Sequence, residues 1–375
     1  MKCIDEISAA EIQGKKVLMR ADFNVPLNAQ GEVADVFRIK QGWQTVRYLA
    51  ACGAKIILMS HIGRDPEASL EPVARAIQSF TPVTFVRDIT GPEAQKAVES
   101  LQPGQILLLE NLRRDPRETE NDPNFARELA NLADMYVDDA FAVAHRTHAS
   151  VVAITKYLPS YSGFLLRNEI REINAARSPQ PPSFAILGGA KFETKAPLIK
   201  LLLERYDHVF ITGALANDVF KAKGLPVGTS LISAELPGPD VLAHPHFIAP
   251  IDVTVETVDK KSIIKKPEDV AADEKIVDIG PDTVRMLVPY IAHARFVLWN
   301  GPTGLYEDGY INQTKAIAEY IQESSAQKVI GGGDTIALIQ ENHLDESKLG
   351  FLSTGGGAML EFLLKGSLPA IEALS

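Results

Sequence analysis

The stretch Phe184-Ala-Ile-Leu-Gly-Gly-Ala-Lys-Phe-Glu-Thr-Lys195 decides the architecture. Its first four residues, Phe184 to Leu187, read as a short buried strand, and two glycines and two lysines, Lys191 and Lys195, follow at once. A short apolar strand of this kind, where such strands alternate with helices, belongs to a parallel sheet covered on both faces. Ammonium groups presented by such a turn point to phosphate. The P-loop spacing G-x-x-x-x-G-K-[ST] is nevertheless absent. The remaining phosphate contacts must then come from other turns.

Working outward, short apolar runs alternate with amphipathic stretches along the whole chain. Before this stretch the runs are Lys16–Met19, Lys55–Met59, Val83–Val86, Gln105–Leu109 and Met135–Val137. Helical patterns lie between them, such as Val36 to Cys52 ahead of Gly53, and Asn124 to Leu132 behind the start signal Asn121-Asp-Pro123. After it the runs are His208–Ile211, Phe247–Ala249, Lys275–Val277, Phe296–Leu298, Lys328–Ile330 and Phe351–Leu352. Tyr161 to Arg177 reads as a connecting helix that stops at the proline-rich Ser178–Ser183. The expectation is α/β: two doubly wound parallel-sheet domains joined by a helix, with a cleft between them. The boundaries expected are 1–160, a linking segment 161–182, and 183–359.

Composition agrees. A chain of 375 residues exceeds one ordinary core. A net charge of −10 opposes nucleic acid or an anionic membrane as partner. Cys3 and Cys52 suit small buried positions better than a disulfide framework. No apolar run approaches a membrane span, and Met1–Glu6 carries early acids with no apolar core. A cytoplasmic protein is expected.

Two sets of strand ends carry different chemistry. In the first half, polar residues follow four strands: Arg20-Ala-Asp-Phe-Asn24, Ser60-His-Ile-Gly-Arg64, Glu110-Asn-Leu-Arg113, and Asp138 to Arg146, while Arg38 opens the following helix. Each arginine alone fits a surface charge. Together, Arg38, Arg64, Arg113 and Arg146 suit a small ligand with more than one anionic group, because guanidinium forks donate paired hydrogen bonds. Asp22 and Asn24 suit a hydroxyl and a polar edge. In the second half glycine follows most strands: Gly188, Gly213, Gly280, Gly301, Gly331 and Gly355. Glycine turns let backbone N–H groups approach phosphate. Gly331-Gly-Gly-Asp-Thr335 adds an acid suited to magnesium, which takes one or two carboxylates plus phosphate oxygens. Trp299 to Glu307 brings Asn300 and Glu307. These features together favour a polyphosphate.

At this point the residues resemble a known family, phosphoglycerate kinase, along nearly the whole chain. The carriers, in order, are "RADFNVP", "SHIGR", "ENLR…ND", "DAFAVAHRTHAS", "GGAKFETK", "DIGPDT", "WNGPTGLYE", "GGGDT" and "STGGGAMLE". The resemblance implies reversible phosphoryl transfer between 1,3-bisphosphoglycerate and ADP, giving 3-phosphoglycerate and ATP, with Mg2+ accompanying the nucleotide. It implies that Asp22, Asn24, Arg38, His61, Arg64, Arg113 and Arg146 line the phosphoglycerate site of an N-terminal domain. In a C-terminal nucleotide domain, Lys191, Lys195, Gly213, Asn300, Glu307, Gly331, Gly332, Gly333, Asp334 and Thr335 would meet the nucleotide, Asp334 through the metal. Arg38, Lys191 and the turn N–H groups of Gly333 and Gly356 would stabilise the transferring group. The segment 360–375 would return to the N-terminal domain. A monomer acting on small molecules in glycolysis or gluconeogenesis is implied, its two substrates brought together by closure of the cleft.

One stretch and four single positions depart from the family pattern. Gly213-Ala-Leu-Ala-Asn217 stands where Gly-Gly-Gly-Met is usual, so base preference is open. Arg114 replaces an aromatic, Asp65 a proline, Thr303 an apolar residue and Asp138 an asparagine. The alternatives are a non-catalytic phosphoglycerate- or nucleotide-binding relative, and an unrelated sugar-phosphate or dinucleotide enzyme. The second is opposed by Leu360, which breaks G-x-G-x-x-G after Gly355.

Overall fold

The computed structural model describes every residue, Met1–Ser375. The chain forms two compact units, Met1–Arg171 with Ser367–Ser375, and Glu172–Gly366. The division falls inside the helix Phe164–Arg177. The helix Gly356–Lys365 belongs to the second unit, so the returning segment begins later than the expected 360. It is held in the first unit by Ala370 N, which donates to Ala144 O at 3.1 Å. No helix is long and apolar enough to cross a membrane.

The first unit is built on β1 (Lys16–Ala21), β2 (Lys55–Met59), β3 (Thr84–Phe85), β4 (Ile106–Leu108), β5 (Met135–Asp139) and β6 (Ser160–Ser162). All pair in parallel, in the order β3-β4-β2-β1-β5-β6. Val17, Leu18 and Met19 are all fully buried, as a strand covered on both faces requires. The helix Phe37–Ala51 supplies one cover, burying Ile39, Trp43, Val46 and Leu49 at helical spacing. β6 replaces the helical reading that began at Tyr161. Gly163 makes the change of direction, because a Cβ there would strike the Asp139 carboxylate. That carboxylate then accepts Leu166 N at 3.0 Å, and Thr45 Oγ1 accepts Phe164 N at 2.9 Å, so the helix starts at Phe164.

The second unit contains β7 (Ser183–Leu187), β8 (His208–Ile211), β9 (Phe247–Ile248), β10 (Val253–Glu256), β11 (Ser262–Lys265), β12 (Lys275–Ile279), β13 (Phe296–Asn300), β14 (Gln327–Gly331) and β15 (Phe351–Leu352). Six of them form a parallel sheet ordered β15-β14-β13-β7-β8-β9. The run at Lys275 is not part of it. β12 pairs antiparallel with β10 in a small sheet ordered β11-β10-β12. The sequence carried that signal in Val253-Thr-Val-Glu256, whose residues alternate buried and half-buried. Val253, Val255 and Ile276 pack on Ala216 and Phe220 in a core of their own.

The winding sets where ligands can sit. The chain moves one way from β1 and the other way from β5, and does the same at β7 and β13. The carboxyl ends of these adjacent pairs are the switch points of doubly wound sheets. At the second, backbone meets backbone. Gly188 N donates to Asn300 O at 2.8 Å, and a Cβ on Gly188 would run into the Pro302 carbonyl. Gly301, at φ +95°, has no more room against Gly188. Gly188→Ala should therefore destabilise the protein by about 1–3 kcal/mol. Gly42→Ala, in a helix with nothing within 4 Å, should instead stabilise by roughly 0.5–1 kcal/mol. Urea unfolding midpoints check both, and a Gly188→Ala protein as stable as the parent would contradict the crowding.

Candidate active site

Four strand ends of the first unit converge. After β1, Arg38 Nη1 donates to Asn24 O at 3.0 Å and lies 3.2 Å from Asp22 Oδ2. Asn24 Oδ1 accepts Gly63 N at 2.9 Å, tying the β1 loop to the β2 loop. Its amide nitrogen makes no bond within the protein. Ser60 Oγ adds a second tie, accepting Phe23 N at 2.9 Å and donating to Ala21 O at 2.8 Å. After β4, buried Asn111 bonds to Ile62 and Ala68 and accepts Arg113 N, and Arg113 Nη1 reaches Gly63 O. Arg146 follows β5 and is half-buried, while Arg64 is exposed.

Several of these groups lie close enough to act on one another's charge. Burial lowers the Arg113 and Arg146 pKa values, and neighbouring guanidiniums, Arg20 and Arg64 among them, lower them further. His61 is only 2% exposed. Burial holds its pKa well below the ordinary value, assisted by Arg20, Arg113 and Arg146, so it is neutral at pH 7. Arg20 Nη2 lies 3.0 Å from His61 Nδ1. A guanidinium only donates, so Nδ1 accepts and Nε2 carries the proton. His61 is thus a fixed neutral donor. The sequence places Arg20 after the strand Lys16–Met19; β1 extends to Ala21, so Arg20 is instead a fully buried arginine that supports the histidine.

In the second unit the glycine turns sit on one another. Lys195 Nζ donates to Gly188 O at 3.4 Å, and Gly189, at φ +111°, leaves the space its ammonium fills. Burial lowers the Lys195 pKa. Lys191 is exposed and left-handed, at φ 64°. Gly213, at φ +65°, abuts Gly189 N. The helices Gly333–Glu341 and Gly356–Lys365 both begin here, and a Cβ on Gly356 would approach Gly332 Cα to 3.1 Å. Two helix N-termini therefore present unpaired N–H groups side by side, a ready anion site. Asn300, Gly331 and Thr335 are buried. They form the floor: Thr335 Oγ1 accepts Gly301 N at 3.1 Å, and Asn300 Nδ2 lies 3.9 Å from Met359 Sδ.

Beside this turn cluster is a cavity of about 350 Å³. Phe220, Leu231, Val253, Ile276 and Leu305 give it apolar walls, and Glu307 and Asp334 stand on its lining. Gly213 lines it too, whereas Lys191, Lys195 and Asn300 do not. The departing Gly213–Asn217 stretch is the first turn of the helix Ala214–Ala222, so the cavity has a helical edge there. The substituted Thr303, also on the lining, donates to Asp278 Oδ1 at 2.7 Å, and burial pushes the Asp278 pKa up to about 7. Asp278 opens the stretch "DIGPDT", where nothing in the sequence marks it as a cavity residue.

An arginine-lined strand-end site on one unit, and glycine turns beside an apolar cavity on the other, define a two-domain phosphoryl-handling enzyme of the doubly wound class. The sequence profile of the family described as phosphoglycerate kinase matches residues 7–366. A phosphoglycerate kinase of Chloroflexus aggregans is 41% identical over 385 residues, covering 96% of each chain. That of Thermomicrobium roseum is 43% identical over 385 residues, with 97% of each chain covered. Among solved structures, phosphoglycerate kinase from Coxiella burnetii aligns with a TM-score of 0.83 at 32% identity, over 99% of this chain and 98% of its own. The Pyrococcus horikoshii enzyme aligns at 0.87 and 29% identity, over 100% and 98%. The chain belongs to the phosphoglycerate kinase family.

One departure bears on stability. Asp138 is fully buried beside Arg20 in register, its Oδ1 accepts Ala140 N at 3.0 Å, and its Oδ2 has no partner. Burial pushes its pKa up to about 6 from 3.8. The folded protein therefore holds this proton more tightly than the unfolded chain. The stabilisation is complete below about pH 4 and is lost as pH rises through about 6. Asp138→Asn should be more stable than the parent at pH 8, by at most on the order of 3 kcal/mol, and should lose that advantage at pH 4. Urea titrations at both pH values check it, and equal gains at both would contradict the titration.

Proposed function

We propose that the protein is an active phosphoglycerate kinase. It transfers a phosphoryl group reversibly between 1,3-bisphosphoglycerate and ADP, giving 3-phosphoglycerate and ATP. The observation that carries this is the joint presence, in a member of the family, of the complete charged set at both strand-end sites. Arg38, His61, Arg64, Arg113 and Arg146 bind the phosphoglycerate anions, and Asp22 and Asn24 orient its hydroxyl and polar edge. The cavity takes the base, Glu307 the ribose, and the glycine turns with Lys191 and Lys195 the phosphates. The residues fit magnesium as well: one exposed carboxylate, Asp334, stands on the cavity lining, suiting an ion whose other ligands are phosphate oxygens and water. When bound, the ion neutralises phosphate charge.

Both acceptors, a carboxylate and a phosphate oxygen, are already nucleophilic, so the chain needs no general base. Its work is positioning and charge stabilisation. Arg38, Lys191 and the N–H groups of Gly333 and Gly356 receive the charge of the transferring group, where preorganised donors stabilise the transition state most. Transfer is direct, so the units must close on their ligands during turnover. The protein works as a cytoplasmic monomer without nucleic-acid or membrane partners, a reading supported by its net charge of −10.

Steady-state transfer from ATP to 3-phosphoglycerate tests the reading. Arg38→Ala should lower turnover about 10³-fold or more while nucleotide KM changes little. Near-normal turnover would remove Arg38 from its role. Asp334→Asn should shift the magnesium titration of activity to higher concentration, and an unchanged titration would mean the metal is held elsewhere. Retained ligand binding with no turnover in the parent would instead identify the non-catalytic relative.

A further inference from the structure

Lys191 is the residue before the helix Phe192–Arg205, the place where Ser, Thr, Asp or Asn ordinarily caps the first N–H groups. A lysine cannot accept a hydrogen bond, and the helix has no side-chain cap from that position. Lys191 is also left-handed, at φ 64° and ψ 75°, a region unfavourable for a residue with a side chain. Something must hold it there. Its carbonyl accepts from Thr194 N at 3.1 Å and from Thr194 Oγ1 at 2.8 Å. The next N–H, that of Phe192, donates to Ser233 Oγ at 2.8 Å, from a segment 41 residues away. Ser233 is itself fixed twice: its Oγ donates to Asp218 Oδ2 at 2.8 Å, and its N donates to Asp218 Oδ1 at 2.6 Å. Asp218 is fully buried in the helix Ala214–Ala222.

We propose that Asp218 and Ser233 are positioning residues for Lys191, supplying from a distance the cap that a lysine cannot give its own helix. The carboxylate consumes the Ser233 proton, so the hydroxyl's lone pair faces Phe192 N–H, and the peptide that follows left-handed Lys191 is held at both its carbonyl and its N–H. The same segment reaches the cavity. Leu231 lines it, and the Leu231 carbonyl accepts Asn217 Nδ2 at 3.1 Å. A base seated against Leu231 and Asn217 therefore presses on the segment that sets Lys191. This inference rests on the role given to Lys191 above.

The test is a double-mutant cycle on phosphoryl transfer. Ser233→Ala, a half-buried position, should fold normally and lower kcat about tenfold or more, with KM for 3-phosphoglycerate unchanged. Ser233→Thr, which keeps the hydroxyl, should restore most of the loss. In a Lys191→Ala background, Ser233→Ala should cost less than about twofold further, because its effect passes through Lys191. Equal losses in both backgrounds would mean a merely structural role and overturn the proposal. So would full activity in Ser233→Ala while Lys191→Ala is impaired. Near-normal turnover of Lys191→Ala alone would instead overturn the role of Lys191 itself, and the positioning claim with it.

Discussion

The second unit depends on a backbone contact that excludes side chains. Gly188 and Gly301 leave neighbouring strands of the parallel sheet and touch, with Gly188 N bonded to Asn300 O. Gly213 and Gly189 repeat the approach one strand over. The contact compresses several strand ends into one small area, and the N-termini of two helices fall beside it. A lysine, two helix dipoles and a cavity wall can then serve one polyphosphate without a P-loop. A methyl group at this contact would push those elements apart, so fold and site share a single constraint.

The first unit solves the opposite problem. Gathering several guanidiniums costs energy when no anion is bound, and the pKa values of Arg113 and Arg146, lowered first by burial, are lowered further by neighbouring guanidiniums. The chain offsets the repulsion with acceptors rather than with a matching set of carboxylates. Arg113 uses the Gly63 carbonyl, Arg38 uses the Asn24 carbonyl and Asp22, and Arg20 uses two carbonyls and His61. Arg113 and Arg20 are thereby oriented by neutral acceptors, and only Arg38 is paired with a carboxylate, which leaves much of the field available to a ligand.

Much of this was legible in the sequence. The apolar runs located the parallel sheets, and the residue types after them separated an arginine site from a glycine site. What escaped notice has physical reasons. β6 is three residues long and polar, so no periodicity announces it. β10 is half-solvated and marked only by the alternation at Val253–Glu256, and β11 is almost wholly exposed, so no buried face marks it. Arg20 reads as the first polar residue after a strand, and only the extension of β1 to Ala21 buries it. Asp218 and Ser233 act across 15 residues of chain, and spacing says nothing about such contacts. Gly213–Asn217 reads as a departure, and what sets it as a helix edge is the packing of Ala216 and Phe220 on Val253 and Val255.

The central claim is that two ligand sites on separate units serve one direct transfer to a carboxyl acceptor. Phosphorus NMR of the protein with ATP, magnesium and 3-phosphoglycerate addresses it most directly. The account predicts interconversion of ATP, ADP, 3-phosphoglycerate and its acyl phosphate, dependent on 3-phosphoglycerate and without catalysed release of inorganic phosphate. Rapid hydrolysis of ATP without 3-phosphoglycerate, or binding of both ligands with no exchange, would contradict it.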